Sequence, residues 1–263
     1  MPSKCIPGLS KAEIRTCWRA LWSRLKAGTA STGLAPCFAK RHFGTMTKTP
    51  SLFDLAFPDN PDLKTEKKHA KSFAGLLCGV DEAGRGPWAG PVVTAAVILD
   101  YANVPAGLND SKKLTEAKRE SLFGEILKTS WVCAASASPA TIDRLNIRAA
   151  TLSAMVRAVN GLPKVPRYVL IDGRDVPPGL TQPGQALIKG DGRCLCVAAA
   201  SIVAKVLRDR MMVALEPEFP GYGFAQHKGY GVPAHQAALD RLGPTKHHRM
   251  SFKPVQLAAG VPG

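Results

Sequence analysis

Four acidic residues in this chain stand where apolar runs stop. Asp81 and Glu82 close the run Leu76-Leu77-Cys78-Gly79-Val80, Asp172 closes Tyr168-Val169-Leu170-Ile171, and Asp191 follows Ala186-Leu187-Ile188-Lys189-Gly190. Carboxylates gathered at strand ends offer hard oxygen ligands. Mg²⁺ and Mn²⁺ prefer such ligands and keep positions open for water or a substrate phosphate. Directly after the first pair, Gly84-Arg85-Gly86-Pro87 forms a glycine-rich turn. Glycines there allow positive φ and let the main chain approach a ligand closely. The pattern predicts a metal site that also admits a polymer backbone. No single acid is informative, since a strand that merely ends in a polar turn looks the same locally. Their shared position is what carries the reading. Neighbouring strand residues point to opposite faces, so Asp81 and Glu82 cannot both aim at one ion from a regular strand. Either the strand stops at Asp81, which is the expectation, or Glu82 offers its backbone carbonyl.

The elements that must position these acids follow from hydrophobic periodicity. A second apolar, β-branched run spans Val92 to Leu99. Thr115 is a plausible N-cap for a helix from Glu116 to Lys128 with Leu122, Phe123 and Ile126 on one face. Trp131 to Ser138 reads as a third strand, and Pro139 starts a long helical segment to about Asn160. After the runs ending in Asp172 and Asp191, an apolar helix from Cys194 to Ala214 has Val197, Ser201, Ala204, Leu207 and Met211 at helical spacing. This order predicts an α/β domain with a mixed sheet, whose ligands collect outside strand ends.

The net charge of +15 points to an anionic partner, with nucleic acid favoured over an anionic membrane surface. Seven cysteines, an odd count without a dense framework, suit a reducing compartment. Neither Cys194 and Cys196 nor the four histidines from His227 to His248 have zinc-site spacing. No apolar run approaches the roughly 20 residues that span a bilayer. A faint dinucleotide-binding echo, Gly84-Arg85-Gly86 with Gly90, is rejected because Pro91 and a β-branched run follow where a helix should open. A basic binding protein without catalysis is a second rival, and the presence of all four acids argues against it.

Several cations are candidates for phosphate contact. Ser111, Lys112 and Lys113 precede a helix N-terminus, Lys205 lies on the long helix, and Lys228 lies in the glycine- and aromatic-rich stretch Gly221 to Gly231. Lys246-His247-His248-Arg249 reads as a basic tail. The chain divides into a basic, acid-poor extension over residues 1–70, a catalytic domain over 71–250 with a C-terminal helical part, and a tail over 251–263. The extension resembles an organellar transit peptide, or a segment upstream of a start at Met46, and disorder is the favoured expectation.

Taken together, Cys78 to Pro87, Asp110-Ser111-Lys112-Lys113-Leu114, Asp172-Gly173, Lys189-Gly190-Asp191, Ala198 to Asp209 and His227-Lys228-Gly229-Tyr230-Gly231 closely resemble bacterial ribonuclease HII. Six motifs in the family's order are far more specific than any one alone. The resemblance implies a ribonuclease H-like three-layer α/β fold, with a mixed five-stranded sheet and a small C-terminal helical extension. It implies a metal-dependent endonuclease that hydrolyses RNA paired to DNA. It also implies cutting 5′ to single ribonucleotides embedded in duplex DNA, which leaves 5′-phosphate and 3′-hydroxyl ends. Asp81, Glu82, Asp172 and Asp191 match the family's metal ligands, holding Mg²⁺ or Mn²⁺ in a two-metal site. Gly84, Arg85 and Gly86 match the turn that senses the ribose 2′-hydroxyl, and Tyr230 matches the tyrosine that packs on the sugar beside the junction. A cytoplasmic, monomeric enzyme is expected, with no membrane association. No protein partner is expected either, since the stretch after Phe252 lacks the paired aromatics that dock on replication clamps.

Overall fold

The computed structural model describes residues 60–64, 66 and 76–260, so the extension expected over 1–70 lies almost entirely outside the described residues. Five strands form one sheet in the order β3-β2-β1-β4-β5. They are β1 (Leu77–Ala83), β2 (Val92–Leu99), β3 (Ser130–Ala137), β4 (Tyr168–Asp172) and β5 (Gly184–Leu187). The pairs β1–β2 and β2–β3 are antiparallel, whereas β4 runs parallel to both β1 and β5. The sheet is therefore mixed, and the acid-bearing ends of β1 and β4 lie side by side.

Residue alternation sorts the sheet's two faces. Leu77, Ala95, Val97 and Leu170 pack against α1 (Glu116–Thr129) and α4 (Leu195–Leu215). Cys78, Val80, Ala96, Ile98, Val169 and Ile171 face α3 (Ile147–Asn160). Three layers result, with α4 buried along most of its length as its continuous apolar sequence requires. At Gly79 an added Cβ would lie 2.2 Å from the Cys196 backbone carbon, so this glycine lets β1 and α4 touch main chain to main chain.

Three boundaries differ from the sequence reading. The segment from Pro139 to Asn160 is two helices, α2 (Pro139–Leu145) and α3, broken at Asn146. Asn146 takes φ 67°, and its side chain accepts from the Ala149 N–H, so it ends one helix and caps the next. Asp191 does not end a strand: β5 stops at Leu187, and Asp191 sits in a single 3₁₀ turn, Gly190–Gly192, ahead of α4. Residues 246–249 are no solvated tail either, because His248 and Arg249 are buried. The C-terminal part comprises α5 (Phe224–His227), α6 (Pro233–Leu242) and α7 (Lys253–Ala258).

Upstream of β1, Glu66 is buried, and its carboxylate accepts from the Cys196 N–H at 2.8 Å and the Tyr101 hydroxyl at 3.0 Å. Cys194 gives α4 no side-chain cap, so Glu66 supplies from elsewhere the acceptor that a helix N-terminus needs. Among the described residues, no helix is long and apolar enough to cross a membrane.

Candidate active site

β1 and β4 deliver Asp81, Glu82 and Asp172 to one place, where a carboxylate oxygen from each lies within 4.8 Å of the others. The expectation that β1 would stop at Asp81 is overturned. The strand continues through both acids to Ala83, in register with β2. Asp81 instead folds along its own backbone, with Oδ1 accepting the Glu82 N–H at 2.6 Å, and the longer Glu82 side chain reaches the same oxygen cluster. Asp172 Oδ1 accepts the Gly190 N–H at 2.7 Å, which ties the end of β4 to the turn bearing Asp191. Asp191 itself pairs with Lys112 Nζ at 3.5 Å and stands outside the tightest set of three.

The electrostatics are those of excess negative charge out of water. Burial, then repulsion from Glu82, Asp172 and Asp191, pushes the Asp81 carboxyl well above its usual range. Burial likewise raises Glu82, with Arg85 opposing at 3.5 Å, and raises Asp172, with the Gly190 N–H and Lys112 opposing. Burial and the neighbouring Asp172 and Asp110 raise Asp191. Burial works against the Lys112 charge, but Asp110, Asp191, Asp81 and Asp172 outweigh it and lift its pKa. Carboxylates arranged in this way ask for cations.

The glycine-rich turn leaves β1 beside this cluster. Gly84 takes φ 94°, and an added Cβ would lie 1.9 Å from Arg208 Nε, so glycine is required twice over. Gly86 needs no positive φ and has nothing within 4 Å of an added Cβ, which leaves its backbone open to a ligand. Arg85 is exposed beside a cleft that Glu82, Arg148, Asp172 and Gly173 also line.

Two buried arginines hold this turn, and among the described residues neither has a carboxylate hydrogen-bonded to it. Arg249 donates from Nη2 to the Gly84 carbonyl at 2.5 Å and from Nε to the Gly90 carbonyl at 3.1 Å. Arg208, on α4, donates to the carbonyls of Pro91, Ala89 and Lys228 at 3.2, 3.2 and 2.8 Å. Burial, then Arg208, pushes the Arg249 guanidinium down to about 9. The sequence reading missed both, since an arginine inside an apolar helix or a basic run carries no mark of burial.

The other expected contact residues are dispersed more widely. The Ser111 hydroxyl is turned inward and accepts from Ser201 Oγ at 2.7 Å. Lys112 and Lys113 are exposed on the 3₁₀ turn Ser111–Lys113, which Asp110 caps. Lys205 pairs with Asp209 at 2.8 Å and lies 6.0 Å from the Tyr230 ring centre. Lys228 takes φ 52° and turns its ammonium back to the Ala225 carbonyl. Tyr230 is 43% exposed, with the Arg208 guanidinium carbon 5.6 Å from its ring centre.

An α/β sandwich with acids clustered where two parallel strands end defines a protein of the ribonuclease H class. A family model described as ribonuclease HII matches residues 78–255, and the chain belongs to that family. It is thus an endonuclease that acts on the RNA of RNA–DNA hybrids. A ribonuclease HII from Rhizobium johnstonii is 53% identical over 218 residues, spanning 83% of this chain and 95% of that protein. The solved structure of ribonuclease H2 from Pyrococcus horikoshii superposes with a TM-score of 0.61 at 28% identity, covering 71% of this chain and 98% of that one. Ribonuclease HII from Archaeoglobus fulgidus, solved as a complex with PCNA, gives a TM-score of 0.60 at 28% identity over 68% of this chain and 96% of that one.

Proposed function

We propose that the chain is a metal-dependent nuclease that hydrolyses RNA–DNA hybrids and also cuts 5′ to single ribonucleotides embedded in duplex DNA. The observation that carries this reading is the convergence of three carboxylates, Asp81 buried and Glu82 and Asp172 half-buried, within 4.8 Å of one another. An all-oxygen donor set with raised carboxyl pKa values fits a hard divalent cation. Asp81, Glu82, Asp172 and Asp191 would hold Mg²⁺ or Mn²⁺. Bound there, such ions supply an activated water and neutralise charge on the leaving oxygen.

The remaining steps belong to the protein's own groups. The backbone of Gly84, Arg85 and Gly86 faces the ribose 2′-hydroxyl, the feature that tells RNA from DNA at one nucleotide. Tyr230 packs on the adjoining sugar. Lys112, Lys113 and Lys228, with the Ser111 turn, contact phosphates and set the register of the strand. Hydrolysis on the 5′ side of the ribonucleotide leaves 5′-phosphate and 3′-hydroxyl ends. A monomeric enzyme is part of this proposal. The proposed catalytic domain spans residues 71–250, and the proposed location is cytoplasmic, as for a bacterial-type enzyme.

The test is an end-labelled DNA duplex carrying one ribonucleotide, incubated with the protein and Mg²⁺ or Mn²⁺. The expected product ends one nucleotide before the ribose in a 3′-hydroxyl. Cleavage of long hybrids alone would remove the single-ribonucleotide claim and leave hybrid hydrolysis standing.

A further inference from the structure

Three histidines pack together behind Tyr230, and their hydrogen bonds fix the place of each ring proton. His227 Nδ1 accepts the Gly229 N–H at 3.1 Å, so its proton sits on Nε2 and donates to the Tyr222 carbonyl at 2.7 Å. His248 Nδ1 accepts the Thr245 N–H at 2.9 Å, so its proton also sits on Nε2, 3.0 Å from His235 Nε2. His235 Nε2 must then accept. Its own proton is on Nδ1, which donates to the Tyr230 carbonyl at 2.9 Å.

This arrangement needs neutral rings, because a proton on His235 Nε2 would meet the His248 N–H head-on. The surroundings keep them neutral. His235 is 0% exposed and His248 1%. The neighbouring rings are Trp88, Tyr222, Phe224 and His227, the last stacked on His235 at 4.4 Å between centres. Among the described residues, no carboxylate hydrogen-bonds or pairs with either imidazole, and the titratable groups acting on the pair are His227 and His247. Burial lowers the pKa of His235, and burial followed by His235 lowers that of His248 to about 4.

The backbone around Tyr230 is otherwise fully engaged. Its N–H donates to the His227 carbonyl and its carbonyl also takes the Val232 N–H, both at 2.9 Å. The Gly229 carbonyl accepts from the Trp88 N–H at 2.8 Å. These bonds fix the backbone from which the half-exposed ring departs, and Arg208 and Lys205 lie 5.6 and 6.0 Å from the ring centre.

We infer that His235, oriented by His248, is a positioning residue for Tyr230: it anchors the carbonyl from which the substrate-facing ring departs. The inference rests on the proposed role of Tyr230 at the ribose-bearing site and adds the device that holds it there.

The experiment compares the full chain with His235→Leu and His235→Asn. The Asn amide stands in for Nδ1–H and keeps a donor to Tyr230. On duplex DNA with one ribonucleotide, His235→Leu should raise KM about fivefold with kcat nearly unchanged, the effect of one lost hydrogen bond. His235→Asn should restore KM to within about twofold by the same reasoning. Without substrate, the Tyr230 ring signals in NMR should move in His235→Leu and return in His235→Asn. Imidazole nitrogen spectra of the wild type should show His235 protonated at Nδ1 and His248 at Nε2. Identical Tyr230 signals in all three proteins, or a His235 proton on Nε2, would overturn the inference. Should His235→Leu not fold, the tautomers and the His235→Asn spectrum decide alone. A wild type that fails to cut the ribonucleotide duplex counts against the proposed function instead, because the spectra require no cleavage.

Discussion

Arg249 Nη1 donates to the Arg85 carbonyl at 2.8 Å, so a residue 164 positions downstream supports the turn that follows the acids of β1. With its partners at Gly84 and Gly90, this one buried guanidinium fixes three carbonyls of the loop between β1 and β2. Rigid support of this kind suits a site that must test for a single hydroxyl, since a slack turn would bind ribose and deoxyribose alike.

Replacing Arg249 by lysine keeps the charge and loses the fork. At least two carbonyls lose their donor, at about 1–3 kcal/mol for each buried group left unpaired. Urea unfolding of Arg249→Lys should show about that loss, and kcat/KM on a ribonucleotide-containing duplex should fall at least tenfold. A variant as stable and active as the wild type would show that the turn holds itself.

Gly79→Ala tests the contact between β1 and α4. The added methyl would enter the Cys196 backbone at 2.2 Å, and neither element can move without disturbing the core. Overpacking of this kind costs about 1–3 kcal/mol, and the upper end is expected here. Thermal melting checks it. An unchanged melting temperature would mean that β1 and α4 separate more easily than their burial suggests.

Glu66 lies upstream of the family match, yet it caps α4. Glu66→Ala should cost about 1–2 kcal/mol, as lost helix caps do. Glu66→Gln, which keeps a carbonyl acceptor, should recover most of it. Burial already raises the Glu66 pKa, so the loss of charge in Gln is mild. Chemical unfolding of the two variants side by side decides this.

The pH dependence of the metal-free protein has a definite sign. Asp81 has a raised pKa when folded, so between its unfolded and folded values the native state binds the extra proton. Stability then falls as pH rises through that window. In chelator, Asp81→Asn should therefore gain melting temperature over the wild type, and the gain should widen from pH 5 to pH 8. The histidine contributions are common to both proteins and cancel in the difference. Excess Mg²⁺ should reverse the order at pH 8 by binding only the intact site. A gap that stays constant with pH would show that the carboxylates are not strained.

Much of this was legible in the sequence, and what was missed has a common cause. Thr115 and the apolar face of α1 followed from local rules, and the structure has Thr115 accepting from the Lys118 N–H at the head of that helix. Asp81, Glu82 and Asp172 were marked by position, each ending an apolar run. Asp191 was assigned to a strand end because Ala186-Leu187-Ile188 is as apolar as any edge strand, and nothing local shows that the chain turns at Lys189. The Asp81–Glu82 difficulty was solved by side-chain length and a local hydrogen bond, which alternation rules do not represent. Arg208, Arg249, His235 and His248 are invisible as a group in the sequence because their partners are backbone atoms, or each other, far along the chain. Long-range polar satisfaction of that kind leaves no periodic trace.

The most direct measurement follows binding and cleavage together on one duplex with a single embedded ribonucleotide, for the wild type and for Asp172→Asn, with Mg²⁺ and with chelator. The account predicts that the wild type cuts 5′ to the ribose only with metal, while Asp172→Asn binds within about threefold of wild type and cuts at least about 100-fold more slowly, since the lost carboxylate serves the metal rather than the grip on DNA. Wild-type cleavage that survives chelator, or an Asp172→Asn protein that cuts as fast as wild type, would contradict it.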